Sequence, residues 1–165
     1  MLSAKAKVVS LLARREHSRK ELTLKLAQKG YPDDDIREAI DWAVAHQFQS
    51  DDRFGRSLMR RRASNLGDRA IEAELSWHAL QSENPQAAPH DDEAPKPEGD
   101  RAFEWLERRY QGAVAAILGG EQTDKQQALH ALKAKAMRAL SARGFEFHNI
   151  QKAWKRLLFE FESDA

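Results

Sequence analysis

The chain repeats a short pattern of residues at a fixed distance along its sequence. Residues 26–31 read Leu-Ala-Gln-Lys-Gly-Tyr, and residues 140–145, which lie 114 positions further on, read Leu-Ser-Ala-Arg-Gly-Phe. Ile36 matches Ile150 at the same offset. A match of this kind at one offset indicates an internal repeat. Because a short helical repeat cannot bury its apolar face alone, the pattern predicts an all-α protein whose tandem three-helix repeats stack into an elongated array.

The composition permits a folded protein without disulfides or membrane spans. Hydrophobic residues make up 41% of the 165 residues and charged residues 32%, so the chain can fold but its cores will be thin. The absence of cysteine excludes disulfides and thiolate metal sites, and it fits a reducing cytoplasm. No apolar run approaches the roughly 20 residues that a membrane-spanning helix needs. We therefore expect a cytoplasmic protein that makes no contact with a membrane.

Capping signals divide the first part of the chain into helices. Ser18 and Glu21 have the spacing of a capping box, which predicts that a helix begins directly after Ser18. Gly30 follows the last apolar position of that helix, where a residue in the left-handed conformation commonly ends a helix. Apolar residues then recur at helical spacing from Ile36 onward. Together these signals predict a three-helix repeat over residues 3–48.

The rest of the chain is predicted to contain two further repeats and an interruption. The second repeat is expected over residues 50–80, with its third helix eroded. Four of the five prolines and most of the acidic excess fall in residues 81–99, a composition that is typical of a disordered linker. A connecting helix over residues 100–120 and a third three-helix repeat over residues 124–162 are expected to follow.

Patterns that would indicate catalysis or a bound cofactor are absent from the sequence. There is no glycine-rich phosphate loop and no thiol nucleophile. Residues 90–93 read His-Asp-Asp-Glu, which resembles a metal-binding cluster, but they lie in the proline-rich segment, where nothing would hold the ligands in place. We therefore interpret them as a solvated acidic tract. The sequence predicts a protein that is not an enzyme, with no catalytic residues, no metal site and no cofactor.

Basic residues recur on the predicted helices at spacings that place them on common faces. Those near residues 53–60 are three and four positions apart, and those near residues 133–143 are expected to face away from Leu129, Leu132 and Leu140. Such runs are often only solvated surface. However, the guanidinium fork of arginine suits phosphates and carboxylates, so we consider these faces candidate sites for an acidic partner. The candidate residues are Arg53, Arg56, Arg60, Arg61, Arg62, Arg69, Lys133, Lys135, Arg138 and Arg143.

Three stretches of the sequence resemble the RecX family. The pattern Leu-x-x-Arg-x-His-Ser-x-x-Glu-Leu-x-x-Lys-Leu-x-x-Lys-Gly-Tyr at residues 12–31 is similar to the opening signature of the family. Residues 51–54 and 71–75 resemble its middle signature, and Lys-x-Lys-x-x-Arg-x-Leu-x-x-Arg-Gly-Phe at residues 133–145 resembles its closing one. The middle repeat departs from the family pattern, because residues 65–68 read Asn-Leu-Gly-Asp where a basic, glycine-rich turn is usual.

The resemblance implies a small regulator of the RecA recombinase. Members of the family bind along the groove of the RecA filament on single-stranded DNA, and they lower its ATPase and strand-exchange activities. It follows that the ten basic candidates would face the filament, in contact with RecA carboxylates, DNA phosphates or both, and we expect the protein to be a monomer. The alternative is an autonomous DNA-binding protein, built from helix-turn-helix-like units, that acts without RecA.

Overall fold

The computed structural model describes residues 2–80, 96–120 and 124–163. Within these ranges all regular secondary structure is α-helical, which confirms the predicted all-α class. Residues 81–95, which include most of the predicted linker and the acidic tract, lie outside the described residues. The helices are α1 (Ala4–Leu12), α2 (Arg19–Ala27), α3 (Asp33–Ala45), α4 (Asp51–Ala63), α5 (Asp68–Trp77), α6 (Glu98–Gly119), α7 (Lys125–Ser141) and α8 (Phe147–Ser163).

The chain forms two compact units. The first comprises Met1–Arg60 together with Glu74–Pro85, and the second comprises Arg61–Ala73 together with Gln86–Ala165. Helices α4 and α5 therefore contribute residues to both units. The middle repeat predicted over residues 50–80 is thus shared between the units instead of forming one of its own. The physical reason is that a pair of helices without a third encloses no core and must be buried by its neighbours.

Helices α1 to α3 enclose the core of the first unit. Leu22, Leu26 and Ala39 are fully buried there. The hydroxyl of Ser18 accepts a hydrogen bond from the backbone N–H of Glu21 at 3.1 Å, which confirms the predicted N-cap of α2. Gly30 has a φ of +80°, so α2 is followed by the left-handed residue that the sequence predicts.

Helices α6, α7 and α8 enclose the core of the second unit. The fully buried residues Leu106, Leu140 and Ile150 come one from each helix. Helix α6 packs chiefly along α8, just as α1 packs chiefly along α3 in the first unit. Residues 124–162 therefore contain two helices rather than the predicted three. The remaining helix of this bundle is α6, which begins at Glu98 and for which the sequence predicts only a connecting role.

Two glycines allow the α4–α5 turn to pack directly on the α7–α8 turn within the second unit. The backbone N–H of Gly67 donates a hydrogen bond to the carbonyl of Arg143 at 3.0 Å. A Cβ on Gly67 would lie 2.3 Å from the backbone nitrogen of Phe145. Gly144 has a φ of +82°, and a Cβ there would lie 2.6 Å from the Cβ of Ala70. Neither position can therefore hold a side chain, and the unusual turn of the middle repeat supplies a glycine that this crossing requires.

A buried carboxylate in the first turn of α6 holds the N-termini of two other helices. Glu98 is only 6% exposed, and it accepts a hydrogen bond at 2.8 Å from the backbone N–H of Asp68, the first residue of α5. It also accepts hydrogen bonds from the backbone N–H of Glu146 at 3.1 Å, directly before α8, and from the side-chain amide of Asn149. The free N–H groups and positive dipole end of a helix both favour an anion. Glu98 therefore fixes the starts of α5 and α8 relative to α6.

An arginine one turn further along α6 holds the end of α4. Arg101 is 5% exposed and donates hydrogen bonds to the backbone carbonyls of Ala63 and Leu66 at 3.2 and 2.8 Å. It also pairs with the carboxylate of Asp68. A guanidinium in this place satisfies carbonyls that a helix leaves free at its C-terminus. The first turns of α6 therefore supply the polar contacts that hold the end of α4 and the start of α5, which are the parts of the middle repeat that lie in the second unit.

Candidate anion-binding surfaces

The candidate residues divide between the two units. Three of them, Arg53, Arg56 and Arg60, belong to the first unit, and the other seven belong to the second. Arg53 Nε donates to the carboxylate of Glu16 at 2.8 Å, and Arg53 Nη2 donates to the carbonyls of Gln47 and Phe48 at 3.1 and 2.9 Å. Its donors are thus used mainly to hold the connection between α3 and α4. Arg56 is exposed and makes no ion pair among the described residues.

The consecutive arginines at the end of α4 are exposed but not free. Arg60, Arg61 and Arg62 each take part in an interaction within the protein. A ligand that binds them must compete with those interactions, which reduces the net gain in free energy from each new contact. These residues remain candidates, and their charge is less available than the sequence alone indicates.

Two arginines of the second unit lie beside the buried ring of Trp105, and one of them shares the C-terminal end of α7 with a third arginine. The guanidinium carbons of Arg143 and Arg109 lie 4.8 and 5.6 Å from the centre of this ring. Arg143 also donates a hydrogen bond to the carbonyl of Ala139 at 2.8 Å, and Arg69 donates one to the carbonyl of Ser141 at 3.2 Å. Both carbonyls lie at the C-terminal end of α7, where the helix dipole favours cations. We call Arg69, Arg109 and Arg143 the arginine cluster.

Sequence reasoning predicted two members of the arginine cluster and missed the third. Arg109 lies on α6, where Glu104 and Glu107 are interleaved with it, so the sequence there reads as an ordinary solvated helix face. The signal that could have identified it is Trp105, four residues earlier, because arginine stacks readily on an aromatic ring one helical turn away. Among the described residues Arg109 makes no ion pair, so its donors remain available to a ligand.

The basic residues of α7 separate into two groups. Lys135 and Arg138 are exposed and make no ion pair among the described residues, as expected for a ligand-facing surface. Lys133 differs from the prediction that it faces away from the leucines, because it is half-buried. The helical period accounts for this difference, since Lys133 follows Leu129 by four residues and precedes Leu140 by seven.

The exposed side of α8 carries a line of residues that sequence reasoning missed. His148, Lys152, Lys155 and Phe159 follow one another at spacings of four, three and four residues, which places them on one face of the helix. All four are exposed, whereas Ile150 is buried on the opposite face. We call these four residues the α8 stripe. The helical spacing of these residues can be read from the sequence, but two separated lysines are a weaker indication of a binding surface than a run of arginines.

A serine and two histidines form a buried polar cluster in the first unit. Ser18 Oγ lies 2.7 Å from Nδ1 of His78, and because Oγ already accepts a bond from Glu21, the hydroxyl can donate to the histidine. Burial lowers the pKa of His78 and that of His17, although the carboxylate of Glu21 opposes both shifts. Nδ1 of His17 lies 3.0 Å from Glu21 Oε2 without hydrogen-bond alignment. Since Ser18 is fully buried and caps α2, the cluster serves the fold and cannot reach a substrate.

Two further observations on the described residues concern metal binding and membrane insertion. No group of three histidine or carboxylate side chains among the described residues could hold a metal ion. In the same parts of the chain, no helix is both long enough and apolar enough to cross a membrane.

The described helices form bundles with exposed cations on their surfaces, which makes this an all-α protein of helical bundles. The family model for the first three-helix domain of RecX matches residues 4–42, which cover α1, α2 and most of α3. Three relatives, each named Regulatory protein RecX, are similar to most of the chain. The relative from Herbaspirillum seropedicae is 33% identical over 93% of this chain and 90% of its own length. The relatives from Herminiimonas arsenicoxydans and Xanthomonas citri are 35% and 37% identical, over 93% and 89% of this chain and 92% and 83% of their own lengths.

The chain therefore belongs to the RecX family of regulatory proteins. Membership confirms the resemblance that the three sequence signatures indicate.

Proposed function

We propose that this protein is a negative regulator that binds in the groove of the RecA filament on single-stranded DNA and inhibits its ATPase and strand exchange. The observation that carries the proposal is the group of cations without ion-pair partners among the described residues on the second unit of this member of the RecX family. Arg109, Lys135 and Arg138 have no carboxylate partner among the described residues. A filament groove offers both carboxylates of the recombinase and phosphates of DNA as partners for them.

A regulator that inhibits by occupying the filament groove needs no catalytic step of its own. We propose that the protein acts as a binding partner and not as an enzyme. Cations on the arginine cluster and on α7 supply the attraction, while the buried contacts of Glu98 and Arg101 keep the helices that carry them in a fixed arrangement. Rigid placement lowers the entropy that is lost on binding.

The proposal is tested by the DNA-dependent ATPase of RecA with this protein added at well below one copy per RecA monomer. We expect a strong loss of turnover. The double variant Lys135→Glu and Arg138→Glu should require about tenfold more protein for the same inhibition, because two attractive contacts become repulsive. The matched control is Arg14→Glu with Lys29→Glu, which makes the same charge change at exposed positions of the first unit that form no ion pair with any other described residue.

The outcomes of this experiment separate the candidate functions. Equal loss of inhibition in the test and control variants would mean that net charge, not the α7 surface, governs binding. Absence of inhibition even at excess, with binding to bare DNA retained, would instead support the autonomous DNA-binding protein. Selectivity for a DNA sequence would strengthen that alternative, whereas a steep salt dependence alone would indicate only nonspecific phosphate contacts.

A further inference from the structure

The exposed face of α3 is the acidic counterpart of the α8 stripe. The histidine and the two lysines of the stripe correspond, at the repeat offset of 114 residues, to three carboxylates of α3: Asp34, Glu38 and Asp41. All three carboxylates are exposed, and we call them the α3 face. Equivalent positions of the two repeats therefore carry acidic residues on one helix and basic residues on the other, with the same spacing along each helix.

The helix itself accounts for only part of the acidic charge of α3, which holds five carboxylates and one arginine. The helix dipole favours carboxylates in the first turn, but Glu38 and Asp41 lie beyond that turn. Asp41 forms no ion pair with any other described residue. Glu38 pairs with Lys5, and Asp34 pairs with Arg37, through side chains that are all at least 42% exposed. Because exposed ion pairs contribute little to stability, these carboxylates can exchange their present partners for other cations.

The α8 stripe carries the complementary charge. Lys152 and Lys155 make no ion pair among the described residues. The neighbouring cation, Arg156, lies 3.1 Å from Asp100 and 3.5 Å from Glu160, and α8 contains no carboxylate before Glu160. An ordinary solvated helix face interleaves acidic and basic residues, because such pairs stabilise the helix. The two lysines lack this arrangement and remain as net positive charge on the exposed side of α8.

An exposed phenylalanine lies at one end of each of the two helices. Phe48 follows the C-terminal end of α3 and is 48% exposed, although its ring stacks on that of Trp42. Phe147 is the first residue of α8 and is 60% exposed. If α3 of one molecule packs antiparallel to α8 of another, these two ends come together while the carboxylates still lie opposite the cations. Burial of apolar surface at this end would then add to the attraction between the charges.

A second copy of this chain is a partner that offers the required complement to both faces. Every copy carries one α3 face and one α8 stripe, so the match needs no further component. Complementary charge of this kind favours one partner and one register over others. A single contact between two different faces leaves an α8 stripe free on one copy and an α3 face free on the other, so that further copies can add in the same way.

We propose that copies of this protein associate head to tail, with the α3 face of one copy on the α8 stripe of the next. Glu38 of one copy pairs with Lys152 of the other, and Asp34 lies opposite Lys155. This goes beyond the proposed function, because the contact requires neither RecA nor DNA. Two single helix faces bury less than about 1,200 Å², which is typical of weak and transient contacts. The monomer that the sequence predicts is then the dilute form of the protein, and association becomes important where copies are held close together.

The test is sedimentation velocity of the full chain, without RecA or DNA, over a range of protein concentrations at about 50 mM salt. The average sedimentation coefficient should rise with concentration, and association should weaken at least about tenfold at about 1 M salt, where charges are screened within about 3 Å. The variant Lys152→Glu with Lys155→Glu, and the variant Glu38→Lys with Asp41→Lys, should each associate about tenfold more weakly, because like charges then face each other. Circular dichroism of each variant checks that its helices are retained.

A mixture of the two variants provides the decisive measurement. One variant keeps an acidic α3 face, the other keeps a basic α8 stripe, and their two reversed faces also match, so the mixture should recover the association of the unchanged protein. The control variants make the same charge changes at exposed positions outside both faces: Arg14→Glu with Lys29→Glu, and Asp52→Lys with Glu72→Lys. Each control alone, and their mixture, should stay within about twofold of the unchanged protein.

Three results would overturn the proposal. The first is a sedimentation coefficient that does not change with concentration at low salt. The second is an equal loss of association in the test and control variants, which would assign the effect to net charge. The third is a mixture of the two test variants that associates no better than either variant alone. Inhibition of the RecA ATPase by the same variants reports separately on the proposed function.

Discussion

Removal of the Glu98 carboxylate should destabilise the second unit more than removal of an ordinary helix cap. The carboxylate accepts hydrogen bonds from the backbone N–H groups of Asp68 and Glu146 and from the side-chain amide of Asn149. Loss of each helix cap costs about 1 kcal/mol. The half-buried side-chain amide of Asn149 that loses this partner costs about 1 kcal/mol more. Glu98→Ala should therefore lower the free energy of unfolding by about 3 kcal/mol.

The measurement is urea unfolding followed by circular dichroism, with a matched cap as the control. Asp124 caps α7 through a single hydrogen bond, which it accepts from the backbone N–H of Gln127 at 3.0 Å. Asp124→Ala should cost about 1 kcal/mol, so the two variants should differ by about 2 kcal/mol. Hydrogen exchange at the amides of Asp68 and Glu146 should become faster only in the Glu98 variant. The reasoning is refuted if Glu98→Ala costs no more than Asp124→Ala.

Two predictions concern the turns and the buried histidines. Gly144→Ala should lower the free energy of unfolding by about 3 kcal/mol or more, because strain and overlap with Ala70 add together. Gly30→Ala, at a similar φ with nothing within 4 Å, should cost only about 1 kcal/mol in thermal unfolding; equal costs would contradict the close approach. Burial lowers the pKa of His17 and that of His78, so at acidic pH these histidines bind protons more readily in the unfolded chain than in the folded protein. The free energy of unfolding should therefore fall as the pH drops below 6.5 and stay level above it. Replacing both histidines by glutamine should flatten that decline, and an unchanged pH profile would count against the explanation.

The sequence predicts those parts of the fold that depend on neighbouring residues. The N-cap at Ser18 and the left-handed glycine at Gly30 follow from interactions within three or four positions, and the structure has both. The repeat offset correctly pairs the turn at Gly30 with that at Gly144, because the same backbone conformation requires glycine in each. Such local requirements can be predicted from the sequence without knowledge of the rest of the fold.

The assignment of α6 could not be predicted, because it depends on distant residues. Glu98 follows a proline-rich stretch, so composition places it in a linker, yet its partners lie 30 and 48 positions away in sequence. The sequence does not show whether the carboxylate of Glu98 is buried or exposed, because this depends on which helix N-termini the fold brings to it. The same limit explains why the bundle of α6 to α8 was not foreseen.

The candidate surfaces were predictable in part for a similar reason. Charge and helical spacing identify Lys135 and Arg138 as exposed cations, and the structure agrees. Spacing does not reveal that Arg53 is bound by Glu16 and two backbone carbonyls. Whether a cation is available to a ligand depends on which carboxylates and carbonyls the fold brings to it. The sequence alone lists the cations and leaves their partners open.

The contacts that fix the start of α6 also determine where the chain tolerates changes in length. Glu98 and Arg101 hold this helix through residues of the second unit itself, so its place does not depend on how many residues connect it to α5. The entropy of closing a loop grows only with the logarithm of its length, about 0.6 kcal/mol for each doubling. Insertions and deletions should therefore accumulate between α5 and α6 among natural relatives. The same connection is a suitable place to introduce a spectroscopic probe while every helix cap stays intact.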